Sequence, residues 1–261
     1  MPMRLLVTRP QPQVDAWVAR LRAMGVDAMA LPLIEIAAPA DPAAVASAWA
    51  ALAAIDLAIF VSPNAAARFF DVRPADLNWP ATTLASAPGP GTASVLEGLG
   101  IARQAIVEPP ADSAQFDSDS LWPVLAARRD WRGARVLVVR GDGGRDALGA
   151  QLRSHGARVE HVAAYRRCAP AFDGVAAATL DAALHEPLRH AWLFSSSQAI
   201  DHLIAARPQT AAHGSFATAI ATHPRIAERA RAAGFRAVFE CAPTLVAVVG
   251  CLQSIATATA S

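Results

Sequence analysis

Six short polar segments carry the residues of this sequence best suited to chemistry. They are Arg9-Pro10, Ser62-Pro63-Asn64, Gly89-Pro90-Gly91-Thr92, Arg140-Gly141-Asp142-Gly143-Gly144-Arg145, Ser195-Ser196-Ser197 and Thr222-His223-Pro224-Arg225. Each follows a predicted strand and precedes a predicted helix, whose first N–H groups are unpaired and lie at the positive end of the helix dipole. For any one segment, ordinary helix capping is the better interpretation. Six such segments together favour a polyanionic ligand.

Tyr165 is the only tyrosine of the chain. It ends a predicted strand, and the equivalent position of an internal repeat described below is Ile34, which has no hydroxyl. A hydroxyl at that place could donate a hydrogen bond to a ligand. Packing at a domain junction explains the position equally well, so both interpretations stay open.

Composition and motifs weigh against several other classes of chemistry. All 23 basic residues other than histidine are arginine, so a lysine Schiff base and a P-loop are excluded. The segment from Gly89 resembles a dinucleotide fingerprint only weakly, because Ser94 occupies its third glycine position. The histidines show no metal-ligand spacing, and neither Ser62 nor Ser196 lies in a G-x-S-x-G motif. A net charge of +1 offers no global attraction to nucleic acid or to a membrane.

The elements that must position these segments repeat within the chain. Leu5-Leu6-Val7-Thr8-Arg9 aligns with Val136-Leu137-Val138-Val139-Arg140 at a shift of 131 positions, and Ile59-Phe60-Val61-Ser62 aligns with Leu193-Phe194-Ser195-Ser196 at a shift of 134. The repeated unit is a strand, a polar segment and a helix, used six times. It predicts two related α/β lobes, each with a parallel sheet and helices on both faces. In such sheets ligands bind beyond the carboxyl ends of the strands.

Particular element boundaries follow from the pattern. We expect a second strand over Val26 to Leu33, a first crossing between the lobes in the loop Pro39 to Pro42, and a helix from Val45. Cys168 to Asp173 is the expected return crossing. The tail from Ser254 is small and polar, so we expect it to be frayed. No apolar run reaches the roughly 18 residues that span a bilayer, the N-terminus does not resemble a signal peptide, and three scattered cysteines indicate a reduced, cytoplasmic protein.

Taken in order, the motifs resemble those of the uroporphyrinogen-III synthase family over roughly residues 4 to 250. The markers of the first half are Val7-Thr8-Arg9-Pro10, Leu33-Ile34-Glu35-Ile36, Phe60-Val61-Ser62-Pro63-Asn64-Ala65, Gly89-Pro90-Gly91-Thr92-Ala93 and Gln115-Phe116-Asp117-Ser118 with Leu121. Those of the second half are the segment from Val136 to Arg145, Tyr165-Arg166-Arg167, Phe194-Ser195-Ser196 and the segment from Thr222 to Ala227. Val61 and Pro88 depart from the family pattern.

This resemblance implies two lobes joined by a two-stranded connector. The first lobe would be discontinuous, with residues 1–36 and 170–261, and the second would comprise residues 39–166. It implies a lyase that cyclises and dehydrates hydroxymethylbilane, a linear tetrapyrrole with eight carboxylates, to uroporphyrinogen III with inversion of the last pyrrole ring. No metal or organic cofactor is expected. We expect a cytoplasmic monomer that could make transient contact with the preceding enzyme of the pathway.

The resemblance also assigns roles to individual residues. Tyr165 is expected to assist departure of the substrate hydroxyl by hydrogen bonding. The amides and hydroxyls expected to hold carboxylates are those of Ser62, Thr92, Ser195, Ser196 and Thr222. Arg9, Arg140 and Arg145 are the expected cationic contacts, although Arg9 and Arg140 could equally be buried partners for carboxylates between the lobes. A two-lobed binding protein for an anion and a nucleotide-sugar transferase are the alternative functions.

Overall fold

Strands and helices alternate along the chain in the computed structural model, which describes residues 3–113, 116, 118–143, 146–208 and 218–260. Within these residues the strands are β1 (Arg4–Val7), β2 (Ala28–Ala30), β3 (Glu35–Ala37), β4 (Leu57–Phe60), β5 (Leu84–Ser86), β6 (Ile106–Val107), β7 (Arg135–Gly141), β8 (Arg158–Cys168), β9 (His190–Phe194), β10 (Thr218–Ala221) and β11 (Ala237–Glu240). The helices are α1 (Gln13–Ala23), α2 (Pro42–Ala50), α3 (Pro63–Asp71), α4 (Pro90–Gly98), α5 (Ser118–Arg128), α6 (Ala147–Ser154), α7 (Gly174–His185), α8 (Ser197–Ala206), α9 (Pro224–Ala232) and α10 (Leu245–Ala260).

The chain forms two compact units. One comprises Met1–Glu35 with Cys168–Ser261, and the other comprises Ile36–Arg167. The first holds a five-stranded sheet in the order β11-β10-β9-β1-β2, and the six-stranded sheet has the order β3-β8-β7-β4-β5-β6. The chain passes between the units in β3 and in β8, which are neighbours in the six-stranded sheet. The predicted α/β class, with parallel sheets flanked by helices, is confirmed.

The two sheets have the same pairing at their centres, and this explains the two shifts of the sequence repeat. In the first unit Leu5 of β1 lies opposite Ala191 of β9, and in the second Val136 of β7 lies opposite Leu57 of β4. The shift of 131 relates β1 to β7, and the shift of 134 relates β4 to β9. The same arrangement of strands is therefore built in both units, but the chain enters it at different strands.

The central strand β4 shows why these segments form the middle of a sheet. All four of its residues are buried, with Leu57 and Ile59 packing on one face and Ala58 and Phe60 on the other. Successive side chains of a strand point to opposite faces, so a continuous apolar run is buried on both sides only when helices cover both. Burial of a side chain as large as Phe60 contributes about 2 to 3 kcal/mol.

Several predicted boundaries were wrong. The second strand covers only Ala28–Ala30 rather than Val26 to Leu33, and β3 was not predicted. Helix α2 begins at Pro42 rather than at Val45, because Asp41 caps it by accepting the N–H of Ala44. The loop before α2 therefore covers residues 38–41 rather than Pro39 to Pro42.

The frayed tail from Ser254 was also wrong, since α10 continues to Ala260. Ile255 is 3% exposed and packs in the same core cluster as Leu245 and Val248, which lie on the same helix. One buried isoleucine therefore holds a segment that is otherwise small and polar.

No helix in the described part of the chain is both long and apolar enough to cross a membrane.

An aromatic cluster in the second unit gives a test of its core. The indole Nε1–H of Trp49 donates to the buried Phe69 carbonyl at 2.8 Å, and the two rings stack at 4.8 Å. Trp49→Phe keeps an aromatic ring but leaves that carbonyl without its donor. We expect the free energy of unfolding to fall by about 1 to 3 kcal/mol, measured by urea denaturation with circular dichroism. Trp79→Phe is the matched control, because Trp79 is only half-buried where its Nε1–H donates to the Thr83 carbonyl at 2.9 Å. Equal losses in both variants would contradict this account.

Candidate functional site

In the second unit the carboxyl ends of β4, β7 and β8 lie side by side. From β4 the chain continues through α3 to β5 on one side, whereas β7 lies on the other side of β4 and leads through α6 to β8. Helices that leave two neighbouring strands in opposite directions open a crevice at their carboxyl ends. The predicted residues Ser62, Arg140 and Tyr165 belong to this edge.

Gly141 lets Tyr165 pack against the end of β7. The two residues pair across the sheet, where a bulge separates Arg140 from Gly141. A Cβ atom at Gly141 would lie 2.8 Å from Tyr165 Cζ and 3.2 Å from its hydroxyl oxygen. Any other residue at this position would displace the phenol ring, so glycine is required here by close approach.

The hydroxyl of Tyr165 lies between two polar side chains. Its oxygen is 3.3 Å from Ser62 Oγ and accepts a hydrogen bond from Arg167 Nη2 at 3.1 Å. Tyr165 itself is fully buried in the core cluster of this unit, whereas Ser62 is half-buried and Arg167 is exposed. Ser62 and Tyr165, which were predicted separately as site residues, are thus in contact, and Arg167 joins them.

Ser62 is held in place by the helix that follows it. Its backbone is extended (φ −166°, ψ 163°), and its Oγ accepts the Ala65 N–H at 3.2 Å, so it is the N-cap of α3. The predicted cap is therefore confirmed, although the helix begins at Pro63 rather than at Ala65. The cap fixes the hydroxyl at the edge of the sheet.

The other predicted residues of this unit are less closely associated with Tyr165. Thr92 lies in the first turn of α4 and is buried, with its N–H donated to the Gly89 carbonyl at 3.1 Å. Arg140 Nε donates to the Gly143 carbonyl at 3.2 Å and so braces the loop after β7. Arg145 lies outside the described residues. Ligand contacts at these three positions stay predictions.

A cavity of ≈ 270 Å³ lies on the opposite face of the same sheet. Its walls include the apolar side chains Ile59, Phe116 and Val138 together with Asp146. Partial burial alone would raise the pKa of the Asp146 carboxyl, but hydrogen bonds from His161 and Arg153 lower it below its ordinary value. Because Asp146 is therefore ionised at neutral pH, this cavity is a poor site for an anion.

In the first unit the four predicted residues gather at one sheet edge. Arg9 follows β1, Ser195 and Ser196 follow β9, and Thr222 follows β10, three neighbouring strands. Besides the regular pairing of the strands, Thr8 Oγ1 donates a hydrogen bond to the Leu193 carbonyl at 2.7 Å. This bond joins the end of β1 to β9.

Ser196 and Thr222 play different backbone roles at this edge. Ser196 is the N-cap of α8, and its side chain makes no capping hydrogen bond. Thr222 N–H is already donated to the Phe194 carbonyl at 3.1 Å. The cap of α9 is His223, whose Nδ1 accepts the Arg225 N–H at 3.1 Å. Among the described residues, a ligand would therefore find the first amides of α8 without a side-chain cap, but of Thr222 only the side chain.

Arg9 is a half-buried cation on the face of an indole. Its Cζ lies 4.0 Å from the centroid of the Trp17 ring, and its Nε is buried without a hydrogen-bond partner among the described residues. Burial lowers the pKa of the guanidinium to about 10, so it stays charged at neutral pH. A carboxylate of a ligand would satisfy both the charge and the Nε–H.

Sequence reasoning missed Arg167 and Gly141 as parts of the site and Trp17 as the support of Arg9. Arg167 could have been found, because it follows Tyr165 by two residues in a strand and alternate residues share a face. The contacts of Gly141 and Trp17 join residues from separate elements, and no local signal marks them.

Comparison with known proteins identifies relatives of this chain. A sequence model of the family described as uroporphyrinogen-III synthase HemD matches residues 15–249. The uroporphyrinogen-III synthase of Salmonella typhimurium is 34% identical over 173 residues, which are 66% of this chain and 68% of that protein. The Escherichia coli enzyme is 33% identical over 173 residues, with the same coverage.

Solved structures with the same fold are more distant in sequence. A mutant uroporphyrinogen III synthase of Thermus thermophilus has a TM-score of 0.60 at 19% identity and covers 98% of this chain and 99% of its own. The Helicobacter pylori structure has a TM-score of 0.52 at 17% identity and covers 98% and 100%. These likenesses concern the fold.

The burial of Arg9 predicts a measurable cost to stability. The lowering of its pKa to about 10 corresponds to about 3 kcal/mol, at about 1.4 kcal/mol for each factor of ten in proton affinity. The cation–π contact with the Trp17 indole offsets about 1 to 2 kcal/mol of this cost. The cost applies wherever Arg9 is charged in both states, below about pH 10, and is relieved as the pH rises through that value.

Arg9→Met keeps the packing on Trp17 and removes the charge, so we expect the free energy of unfolding to rise by about 1 kcal/mol. Arg4→Met is the control, because Arg4 is exposed and pairs with Asp27 at 3.0 Å, a contact worth less than about 1 kcal/mol. Urea denaturation at pH 7 measures both. A loss of stability in Arg9→Met would show that the guanidinium supports the fold.

Proposed function

The chain belongs to the uroporphyrinogen-III synthase family and is a lyase of haem biosynthesis, and we propose that its substrate is hydroxymethylbilane, bound through its carboxylates at the strand ends described above. The observation that carries this proposal is the buried Nε of Arg9, which has no hydrogen-bond partner in the described part of the chain, at the sheet edge where α8 begins. A charged group that is buried without a partner costs stability unless a ligand supplies one.

The proposed reaction needs no redox change. The terminal hydroxyl of hydroxymethylbilane leaves as water, which gives an azafulvene cation. The substituted carbon of the last ring then attacks to form a spiro intermediate, which fragments and closes again with that ring inverted. Since the substrate also closes by itself to the uninverted isomer, the main task of the protein is to hold a conformation in which the spiro route is faster.

We assign the carboxylates to two kinds of contact. In the first unit the Arg9 guanidinium and the first amides of α8, with Ser195, Ser196 and Thr222 around them, suit a carboxylate, because a fixed charge and N–H groups act on the same oxygens. In the second unit Ser62 and the loop braced by Arg140 are the corresponding positions. Thr92 and Arg145 are further proposed contacts.

Tyr165 is proposed to supply the proton for the loss of water. Its hydroxyl lies at the carboxyl edge of β8 within hydrogen-bond distance of Ser62. The Arg167 guanidinium would stabilise the charge left on the oxygen when the proton departs. General-acid help of this kind lowers the barrier to breaking the C–O bond, whereas the later ring steps depend on the substrate conformation.

We also propose a cytoplasmic monomer that makes at most transient contact with the preceding enzyme of the pathway. The three cysteines are unpaired, which suits a reducing compartment. Size-exclusion chromatography with light scattering would measure the mass, and a stable dimer would contradict the proposal.

Product analysis tests the reaction and the role of Tyr165 together. Incubation with hydroxymethylbilane, followed by oxidation and separation of isomers, should give the type III isomer from the wild-type protein. Tyr165→Phe keeps the ring against Gly141 but loses the proton, so we expect turnover to fall about ten- to a thousandfold, equivalent to about 1.4 to 4 kcal/mol. Only the type I isomer, in the amount formed without protein, would contradict the function. Unchanged turnover in Tyr165→Phe would make this residue a packing residue.

A second measurement separates one dominant arginine from many weak contacts. If many amides and hydroxyls bind the carboxylates of the ligand, each Ser or Thr to Ala change should weaken product binding by only about 0.3 to 1 kcal/mol. The positions to change are Ser62, Thr92, Ser195, Ser196 and Thr222. Arg9→Ala, Arg140→Ala and Arg145→Ala should then cost similar amounts. Product titration by calorimetry gives the affinities, and circular dichroism checks the fold. One arginine that costs several kcal/mol would replace the distributed account by a bidentate clamp.

A further inference from the structure

The hydrogen bonds around Tyr165 have a direction that the donor chemistry fixes. A guanidinium carries only donors, so in its contact with Arg167 at 3.1 Å the Tyr165 oxygen must accept. Tyr165 then has one proton left to donate. Its ring is 0% exposed, so that proton must find an acceptor inside the protein or remain a costly buried donor. Ser62 Oγ, at 3.3 Å, is the acceptor that the described residues provide.

Ser62 continues this chain of hydrogen bonds from Tyr165 to the carboxyl edge of the sheet. A serine oxygen accepts two hydrogen bonds and donates one. Ser62 Oγ already accepts the Ala65 N–H at 3.2 Å, and the Tyr165 hydroxyl occupies the second position. The remaining group is the Ser62 proton, on a half-buried side chain at the carboxyl edge of the sheet. Donation therefore runs from Arg167 to Tyr165, from Tyr165 to Ser62, and from Ser62 to whatever binds there.

We propose that Ser62 is the group that passes the proton of the buried Tyr165 to the leaving hydroxyl of the substrate, and that Arg167 positions Tyr165 and stabilises it after the transfer. This inference rests on the proposed function. It assigns Ser62 a role in the chemistry besides holding a carboxylate. It also explains how a tyrosine without exposed surface takes part in a reaction of a bound ligand.

The step balances without any further reactant. Ser62 Oγ–H gives its proton to the hydroxyl oxygen of the substrate while the C–O bond breaks with its electron pair on that oxygen, and water leaves. Ser62 takes the Tyr165 proton in the same step, so the azafulvene cation forms together with a Tyr165 phenolate beside the Arg167 guanidinium. When the inverted ring becomes aromatic again, its carbon loses a proton, which returns through Ser62 to Tyr165.

Variants at Ser62 separate the hydroxyl from the helix cap. Ser62→Ala removes both, and we expect its kcat to fall at least about tenfold, with KM changed by less than about threefold. Ser62→Thr retains a hydroxyl and a good N-cap, and should keep most of the activity even if the alanine variant is less stable. A fall in kcat for alanine with rescue by threonine supports the relay. A rise in KM alone would overturn it and leave Ser62 as a binding residue.

A double-variant cycle tests whether Ser62 and Tyr165 act in one step. If they do, Ser62→Ala combined with Tyr165→Phe should be no slower than the slower single variant, because residues that act as a unit are not additive. Multiplied losses would overturn the relay. A curved dependence of kcat on the D₂O fraction in the wild-type enzyme would show two protons in flight, and a straight line would contradict two.

Arg167 has a matched control in its neighbour. Arg167→Gln should lower kcat about tenfold, and Arg167→Lys, which keeps a charged donor, should recover part of the loss. Arg166→Gln is the control, since Arg166 is also exposed and its Nε donates to the Ala38 carbonyl at 3.2 Å; it should stay within about twofold of wild type. Equal losses at 166 and 167 would overturn the positioning role. Type III product from the wild-type enzyme in these assays keeps a failure of the relay distinct from a failure of the proposed function.

Discussion

The parallel pairing of two buried strands at the centre of each sheet, β1 with β9 and β4 with β7, is the constraint on which the remaining structure depends. Because both strands run in the same direction, their carboxyl ends meet at one edge, and because the chain leaves them toward opposite sides, that edge is open. Arg9 and Ser195 meet at one such edge, and Ser62 and Gly141 at the other. The polar segments are close together only because the apolar strands behind them are paired.

Each edge then meets a different physical requirement. In the first unit a half-buried guanidinium lies on an indole, its buried Nε has no hydrogen-bond partner among the described residues, and burial lowers its pKa to about 10. Burying this charge lowers the stability of the fold, and pairing with a carboxylate would offset that loss. In the second unit the polar atoms around Tyr165 form hydrogen bonds with one another. The one donor of this group that is left for a ligand is the Ser62 hydroxyl. The proposed carboxylate site and the proposed proton-transfer site are thus built from the same kind of strand, loop and helix unit.

The repeat also shows how equal scaffolds acquire different chemistry. Ser62 and Ser196 are equivalent by the shift of 134, and both are N-caps. Only Ser62 caps its helix with its own oxygen, and it lies beside a tyrosine whose counterpart in the other unit is Ile34. Gly141 completes the difference, because it admits the phenol ring where any Cβ would collide. Local differences on the same strand pairing therefore give the two edges different polar groups.

The sequence by itself determined the α/β class, the repeated units, the strand ends that carry polar residues and the cap at Ser62. Those features depend on apolar periodicity and on capping chemistry, which are local. It failed at the start of α2, where the local cap by Asp41 decides the first residue of the helix, and at β3 and the tail held by Ile255, where contacts with distant segments decide the boundaries. Only the tertiary structure decided that Arg9 lies on Trp17, that Gly141 faces Tyr165, and that Arg167 and Ser62 share one hydroxyl. The physical reason is that a hydrogen bond or a buried charge depends on distances between distant segments, and local patterns carry no such distances.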